Sequence, residues 1–580
     1  MDIVSAASNS PLVSVFKNIT TSTPTIVFTA RDDYSATGAS GGTGNILSLA
    51  DLNNDGLLDI VRCNQSSNNF SILYNVQNVP PVLISDFTPK QGPISTTVAI
   101  TGGGFNVNPV SNTVFFGSTA GTVQVGSTST TLLVTVPYGA NYQYLSVTNL
   151  DTKQTGYSLR PFVVTYPTSV GGFNDYSPAL NIGTSGVGNP NQQVIKDFNG
   201  DGKPDIVLGS TNGLYLMTNT TSALSTAITF NVQALTLSLN IQALAGDDLD
   251  GDGKPDLALN PTNGTLLVYK NVSSMGGSIS FSNTGISLGA AACYSVAISD
   301  MDADGRPDIV MGGTANTNNV VYIFRNISVS GTMNFSAASS ISGFYYSYAL
   351  AVGDIDGDGK PDIVTAHQYN ASYNPSNYNL CVLRNTSMGP GNIAFASYVP
   401  FYNGGNQSDG LALCDFNGDG KLDIATANYP NGNALILPNT ATSGTINSSS
   451  FGTYFTLQPG GSGTEAVAIG DMNGDGKPDL IAAAYNATVV SVFKNASTST
   501  AISFGNYVSY TDPVGSNGTT AINNVSLVDL NNDGFLDIVR CNYNTSNLSI
   551  FRSVAITPPV LITDFTPKQG PISTTVAITG

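Results

Sequence analysis

The sequence predicts an all-β chain in which a seven-bladed β-propeller alternates with a small β-sandwich. Three observations carry this prediction. An acidic loop, Asp-x-Asp/Asn-x-Asp-Gly-x-x-Asp, occurs eight times, starting at Asp51, Asp197, Asp248, Asp300, Asp354, Asp415, Asp471 and Asp529. From Asp197 onward the starts are 51, 52, 54, 61, 56 and 58 residues apart, with about four short strand-like runs in each interval. That period and strand count are the mark of a propeller blade. The interval from Asp51 to Asp197 is 146 residues, leaving room for a separate sandwich.

Composition agrees with the class. The 580-residue chain exceeds what one core supports. Charged residues are only 10% and Glu465 is the only glutamate, so the charged pairs that support exposed helices are missing. Val, Ile, Phe and Tyr separated by Gly, Ser, Thr and Asn suit short strands and polar turns. No apolar run of about 18 residues is present, so no helical membrane span is expected. The five cysteines, Cys63, Cys293, Cys381, Cys414 and Cys541, have no zinc-site spacing and read as buried thiols. The N-terminus lacks the basic flank and apolar centre of a signal peptide.

Taken in order, residues 1–79 read as under two blades of a preceding propeller. Residues 80–167 hold seven or so alternating segments, such as Thr97–Thr101, Thr113–Phe116 and Leu132–Val136, and read as the sandwich. Residues 168–557 contain seven loops and read as seven blades. A typical unit runs Tyr294–Ser299, loop, Asp308–Met311, Val320–Phe324 and a shorter run holding a phenylalanine, Met333–Ser336. The last unit lacks its fourth strand, and residues 172–177 are expected to supply it and close the ring, which removes an open edge. Residues 558–580 repeat the start of the sandwich: Pro558–Pro571 matches Pro80–Pro93 with one difference, Thr563 for Ser85. The chain is thus one period of about 478 residues plus an overlap, and is expected to be a window cut from a longer tandem array.

The units from Asp197 through Asp529 resemble FG-GAP (VCBS-type) repeats, which implies an integrin-α-like seven-bladed propeller. Pro80 to Tyr166, with Phe87-Thr-Pro89, Gly92-Pro93 and Val98–Phe105, resembles the Ig-like IPT/TIG domain. The tandem architecture with near-identical copies is similar to that of large secreted bacterial surface proteins, which implies an extracellular setting.

The loops point to calcium. Oxygens at positions 1, 3 and 5, a carbonyl at 7 and a carboxylate at 9 supply most of the six to eight ligands calcium takes, and glycine at 6 allows the bend. The expected side-chain ligands are Asp51, Asn53, Asp55 and Asp59; Asp197, Asn199, Asp201 and Asp205; Asp248, Asp250, Asp252 and Asp256; and Asp300, Asp302, Asp304 and Asp308. The remaining loops offer Asp354, Asp356, Asp358 and Asp362; Asp415, Asn417, Asp419 and Asp423; Asp471, Asn473, Asp475 and Asp479; and Asp529, Asn531, Asp533 and Asp537. Loops with asparagine at position 3 carry one charge less and are expected to bind more weakly. The absence of glutamate at position 12 separates them from EF-hands. Twenty-seven of the 38 acidic residues lie in these loops, and one divalent cation per loop would bring the net charge from −18 to about −2. The acidity therefore implies bound metal, and a nucleic-acid partner is not expected.

The expected function is an extracellular, calcium-stabilised structural or adhesive repeat protein forming a rod or filament with neighbouring copies. The alternative is a propeller module that binds a surface protein or glycan, and a weaker alternative is a polysaccharide-active enzyme. No catalytic group is evident: the only histidine, His367, follows a strand-like run with no partner set by spacing. Asn-x-Ser/Thr sequons, as at Asn326, Asn385 and Asn495, leave glycosylation open.

Overall fold

The computed structural model describes residues 3–6, 12–16, 32–35, 47–50, 59–64, 69–73, 80–166, 175–184, 188–289, 292–315, 318–328, 332–344, 347–367, 378–405, 407–429, 431–461, 463–484, 489–512, 524–554, 564–566 and 577–579. These residues form strands and turns, with a single 3-10 turn at Pro109–Ser111 and no α-helix among them. The chain divides into two units, Met1–Pro80 and Pro81–Gly580.

The first unit holds two three-stranded antiparallel sheets, Ile3–Ala6 with Leu12–Phe16 and Asp32–Ser35, and Leu47–Ala50 with Asp59–Asn64 and Asn69–Leu73. The strand Asp59–Asn64 has the same six residues as Asp537–Asn542 and pairs in the corresponding register.

In the second unit, Leu83–Thr88, Thr97–Gly103, Asn112–Phe116, Thr119–Val123, Thr131–Thr135, Tyr144–Asn149 and Gln154–Pro161 make the sandwich. Thr119–Val123 joins its two halves. Its first residues pair with Asn112–Phe116 and its last two with Thr131–Thr135. Alternation decides which side chains go inside: Val98 and Ile100, Leu132 and Val134, and Leu145 and Val147 are all fully buried, around Phe116 and Phe162 packed edge to face. At the C-terminal end, Asp564–Thr566 pairs with Ala577–Thr579 in the register of Asp86–Thr88 with Ala99–Thr101, as the sequence repeat requires.

Seven four-stranded antiparallel sheets follow. The first strands are Pro190–Lys196, Ile241–Asp247, Ala292–Ser299, Ser347–Gly353, Ser408–Cys414, Thr464–Gly470 and Val525–Val528. Each packs against the first strand of the next sheet, and together they line one central channel. Gln193 joins the two ends of the series by donating from Nε2 to Ser526 Oγ at 3.0 Å and to the Val539 carbonyl at 3.1 Å. The second strands, such as Asp362–His367 and Asp479–Ala484, are buried along their whole length. Sheets cover them on both sides, which is why these runs read as continuously apolar.

The closing strand differs from expectation. Leu180–Gly183, not residues 172–177, pairs with Asn547–Phe551 to complete the last sheet, while Asp175–Tyr176 bridges Ser553–Val554; residues 172–174 lie outside the described residues. The same displacement occurs elsewhere. Phe335, Phe395 and Phe451 make single bridges to Asn326, Asn385 and Asn439, and the fourth strands begin four residues later at Ser339, Val399 and Phe455. The aromatic residue is large enough to be buried under the turn, so it marks the bridge before the strand. Tyr176 takes its place in the last sheet, and Pro178, which has no N–H, separates it from the strand.

The sandwich sits over the channel mouth at the acidic-loop end. Asp197 N–H donates to the Ser118 carbonyl at 2.7 Å, Thr155 N–H to the Gly305 carbonyl at 2.7 Å, and Tyr142 Oη to Cys414 Sγ at 3.2 Å.

Candidate metal-binding loops

Each described acidic loop joins the first and second strands of a sheet and is built largely by its own carboxylates. In the loop from Asp248, Asp248 Oδ1 accepts N–H groups of Gly251 at 2.8 Å and Asp252 at 3.1 Å, and Oδ2 accepts that of Gly253 at 2.8 Å. Asp252 Oδ1 accepts from Lys254 N–H at 3.0 Å. Asp256 holds the ends together, accepting from Leu249 N–H at 2.9 Å and from Asn271 N–H, on the third strand, at 2.8 Å. The chain turns through the left-handed region at loop positions 4 and 6, with φ of 74° at Gly251 and 87° at Gly253. Sequence reading found the glycine at position 6 but not the constraint at position 4, where Ala303 and Asn532 adopt φ of 57° and 55°.

Three loops bring ligand atoms of three aspartates within 4.8 Å of one another: Asp248, Asp250 and Asp256; Asp300, Asp302 and Asp304; and Asp354, Asp356 and Asp362. Burial, reinforced by neighbouring carboxylates, pushes Asp248 and Asp300 up to about 7 and Asp362 up to about 8. Burial is likewise the main cause at Asp197 and Asp471, pushed up to about 6, at Asp423, up to about 7, and at Asp205, Asp479 and Asp529, up to about 8. Asp51, Asn53 and Asp55 lie outside the described residues, and Asp59 begins a strand.

The donor set fits a hard divalent cation. Two position-3 oxygens, Asp302 Oδ1 and Asn531 Oδ1, are buried and accept no hydrogen bond. A buried oxygen left without a donor is costly, and a cation is the partner this crowd of acceptors suits.

Two groups in the site were not anticipated from sequence. The first is a set of tethered cations. Arg325 Nε donates to Asp302 Oδ2 at 2.6 Å, Arg384 donates to Asp356 at 2.5 Å and Asp358 at 2.6 Å, and Lys270 pairs with Asp250. In the three described loops with aspartate at position 3, that aspartate has a Lys or Arg partner at or just after the end of the third strand. Where position 3 is Asn199 or Asn417, the corresponding residues are Thr218 and Pro438. At Asn473 and Asn531 they are Lys494, which pairs with Asp475 at 3.1 Å, and Arg552, so the charge is balanced in this way only in the loops of Asn199 and Asn417, while the loops of Asn473 and Asn531 keep one negative charge less.

The second group is a buried asparagine at or just after the end of the third strand in six of the seven sheets. Asn271 Nδ2 donates to the Pro255 carbonyl at 2.9 Å in its own loop and to the Phe198 carbonyl at 2.8 Å in the neighbouring sheet's loop. Asn219, Asn326, Asn385, Asn439 and Asn495 do the same. Their Oδ1 atoms accept N–H from the residue two further on, at Thr221, Ser273, Ser328, Ser387, Ala441 and Ser497. This turn accounts for the sequons at Asn326, Asn385 and Asn495: the amides are buried and fully used, leaving no accessible nitrogen for a glycan. Their repetition ahead of Ser or Thr was the available signal.

The FG-GAP-like repeat family matches residues 248–311, 300–365, 415–482 and 471–540, and the IPT/TIG domain family matches residues 81–165. The chain carries four FG-GAP-like repeats and an IPT/TIG domain. Such a pairing suggests a surface or adhesive repeat protein, FG-GAP repeats often bind calcium, and they are typical of extracellular proteins. Among the described residues no helix is long and apolar enough to cross a membrane.

The chain is 29% identical over 272 residues to cartilage acidic protein 1 of Xenopus tropicalis, a stretch covering 43% of this chain and 40% of that protein. It therefore spans well under half the length of that relative. Among solved structures it is similar to an Agrocybe aegerita lectin that recognises non-reducing terminal N-acetylglucosamine, with 17% identity and a TM-score of 0.39 over 65% of this chain and 89% of that one. It is also similar to an auxiliary nutrient binding protein of Bacteroides ovatus, with 12% identity and a TM-score of 0.32 over 83% of this chain and all of that one.

Outside the loops, His367 is buried at the end of its strand, with Nε2 2.8 Å from Thr365 Oγ1. The described cysteines are free thiols, with Cys293, Cys381, Cys414 and Cys541 buried.

Proposed function

We propose that this is an extracellular, non-catalytic scaffold whose acidic loops each hold one structural calcium ion, and which works as an adhesive or structural element in an array of neighbouring copies. The observation that carries the calcium reading is the crowding of three carboxylates within 4.8 Å in buried loops that retain an unpartnered oxygen, Asp302 Oδ1. Calcium suits these loops better than magnesium, since oxygen ligands on an irregular turn meet its loose geometry and not a strict octahedron. When bound, the ion supplies positive charge that fixes the turn between first and second strands.

Within the site, the residues at positions 1, 3, 5 and 9 would hold the ion, and the position-9 carboxylate also ties the loop to the third strand. Each of its oxygens has a second acceptor direction beyond the N–H it already binds. The array reading rests on the 478-residue sequence repeat. The test of the calcium reading is thermal melting in chelator and in excess calcium. Binding to the folded state alone raises stability by about 2.7 kcal/mol per site at a hundredfold excess over Kd, so a large, calcium-reversible loss of Tm is expected. Identical melting curves would refute it. Electron microscopy of the native protein tests the array.

A further inference from the structure

At the other end of the first strands, six residues before each loop, the sheets share a second feature. In six first strands the ladder to the second strand skips one residue: Asn191, Gln242, Tyr294, Tyr348, Asp409 and Glu465. Each is a β-bulge, which leaves a residue out of the ladder and re-aims its side chain. At a rise of about 3.3 Å per residue, these bulges lie about 20 Å from the acidic loops along the channel. The equivalent position in the seventh strand lies outside the described residues.

Bulges at one level in six sheets are a framework for a ring of side chains. The four on consecutive sheets, Tyr294, Tyr348, Asp409 and Glu465, line a cavity of ≈ 230 Å³ at the channel mouth away from the sandwich. Tyr294 and Tyr348 stack with ring centroids 5.1 Å apart and planes 29° from parallel. Asp409 is 8% exposed and accepts from Gln407 Nε2 with both oxygens, at 2.8 and 3.0 Å. Burial pushes it up to about 7, against the hydrogen bond from Gln407, which lowers it. Glu465, the chain's only glutamate, is 6% exposed and is felt by the buried Arg540. Neither acidic residue belongs to a metal loop.

We propose that this ring is a saccharide-binding site that takes one pyranose unit at the channel mouth. The stacked tyrosines offer an aromatic surface for the apolar face of a sugar ring, and the carboxyl oxygens of Asp409 and Glu465 can accept its hydroxyl protons. Gln192 and Asn524, in the same wall, bring amide groups that can serve sugar oxygens. The cavity is below the ≈ 300–1,000 Å³ typical of drug-sized ligands, which limits the occupant to about one small ring. An organic cation is the competing occupant. It would make no use of the amide donors, and Arg540 already opposes the charge of Glu465. The proposal deepens the glycan-binding alternative but does not depend on calcium, because none of its residues is in a metal loop.

The test uses the full chain in calcium buffer, titrated with methyl glycosides of glucose, galactose, mannose and N-acetylglucosamine, and separately with butylammonium chloride, followed by saturation-transfer NMR and calorimetry. The expected result is binding of at least one glycoside with Kd on the order of 1 mM. Asp409→Asn and Tyr348→Ala should each weaken it about tenfold or more, in line with loss of a hydrogen-bond acceptor or an aromatic contact. Asp409→Asn keeps the shape of the side chain, and an unchanged Tm confirms its fold. No glycoside binding, binding insensitive to Asp409→Asn in a folded variant, or binding of butylammonium alone would each overturn the proposal. Calcium-independent melting together with glycoside binding would overturn the metal reading and leave this one standing.

Discussion

Asn385 and Met301 are 84 residues apart in sequence, yet Asn385 Nδ2 donates to the Met301 carbonyl at 2.9 Å, fastening one sheet's third-strand end to the loop of the sheet before it. The same amide donates to the Pro361 carbonyl at 3.0 Å. Replacing Asn385 with alanine strands two acceptors and should destabilise the protein by about 2–5 kcal/mol. In the last sheet the corresponding residue is Ser553, whose Oγ is buried without a partner, and Tyr176 Oη instead donates to the Leu536 carbonyl at 3.0 Å. Ser553→Ala should therefore cost under about 1 kcal/mol, since no hydrogen bond is lost. Denaturant melts of the two variants check the contrast, and equal losses would contradict it.

Arg384 bonds to Asp356 and Asp358 through oxygens of the same loop that is expected to hold an ion. It should support that loop when metal is absent and repel the ion when metal is present. Arg384→Met is expected to lower Tm in chelator and to enlarge the gain in Tm on adding calcium. Paired melts with and without calcium read both quantities, and an unchanged gain would show that the arginine does not act on the ion.

Ala303 occupies loop position 4 with φ of 57°, where Gly200, Gly251, Gly357, Gly418 and Gly474 stand in five other loops. An L-residue in the left-handed region costs roughly 1–2 kcal/mol, part of which glycine gives back as chain entropy in the unfolded state. Ala303→Gly should then stabilise the protein by up to about 1 kcal/mol. The check is a denaturant midpoint shifted upward with unchanged slope.

The features readable in sequence are those encoded within a few residues. Asp248 to Asp256 states its own loop, and its recurrence states the sheet period. The tethered cations escape such reading because Arg384 lies 28 residues from Asp356 and joins it only once two strands have paired. The bulge at Asp409 is a matter of register, visible when Ser408 and Gly410 are seen opposite Asn428 and Ala427. The closing strand was misplaced because Tyr176 and the phenylalanines look like strand centres, whereas burial puts them at the bridge that precedes the strand. The seat of the sandwich depends on scattered contacts, such as Ser118 with Asp197, that no local pattern announces.

The buried loop carboxylates give the metal-free protein an unusual pH dependence. Burial raises Asp205, Asp362, Asp479 and Asp529 to about 8, well above the ordinary carboxylate value of 3.8. Between those values the folded chain binds more protons than the unfolded one, so these groups make stability fall as pH rises from about 4 to 8. Calcium acts in the opposite direction, because it binds the ionised carboxylates and competes with their protons. In chelator, Tm should therefore decline from pH 5 to pH 8, while the gain in Tm from saturating calcium should grow over the same range. Scanning calorimetry at pH 5, 6, 7 and 8 with and without calcium gives both curves. A calcium gain that is constant with pH would mean that the ion does not sit on these carboxylates.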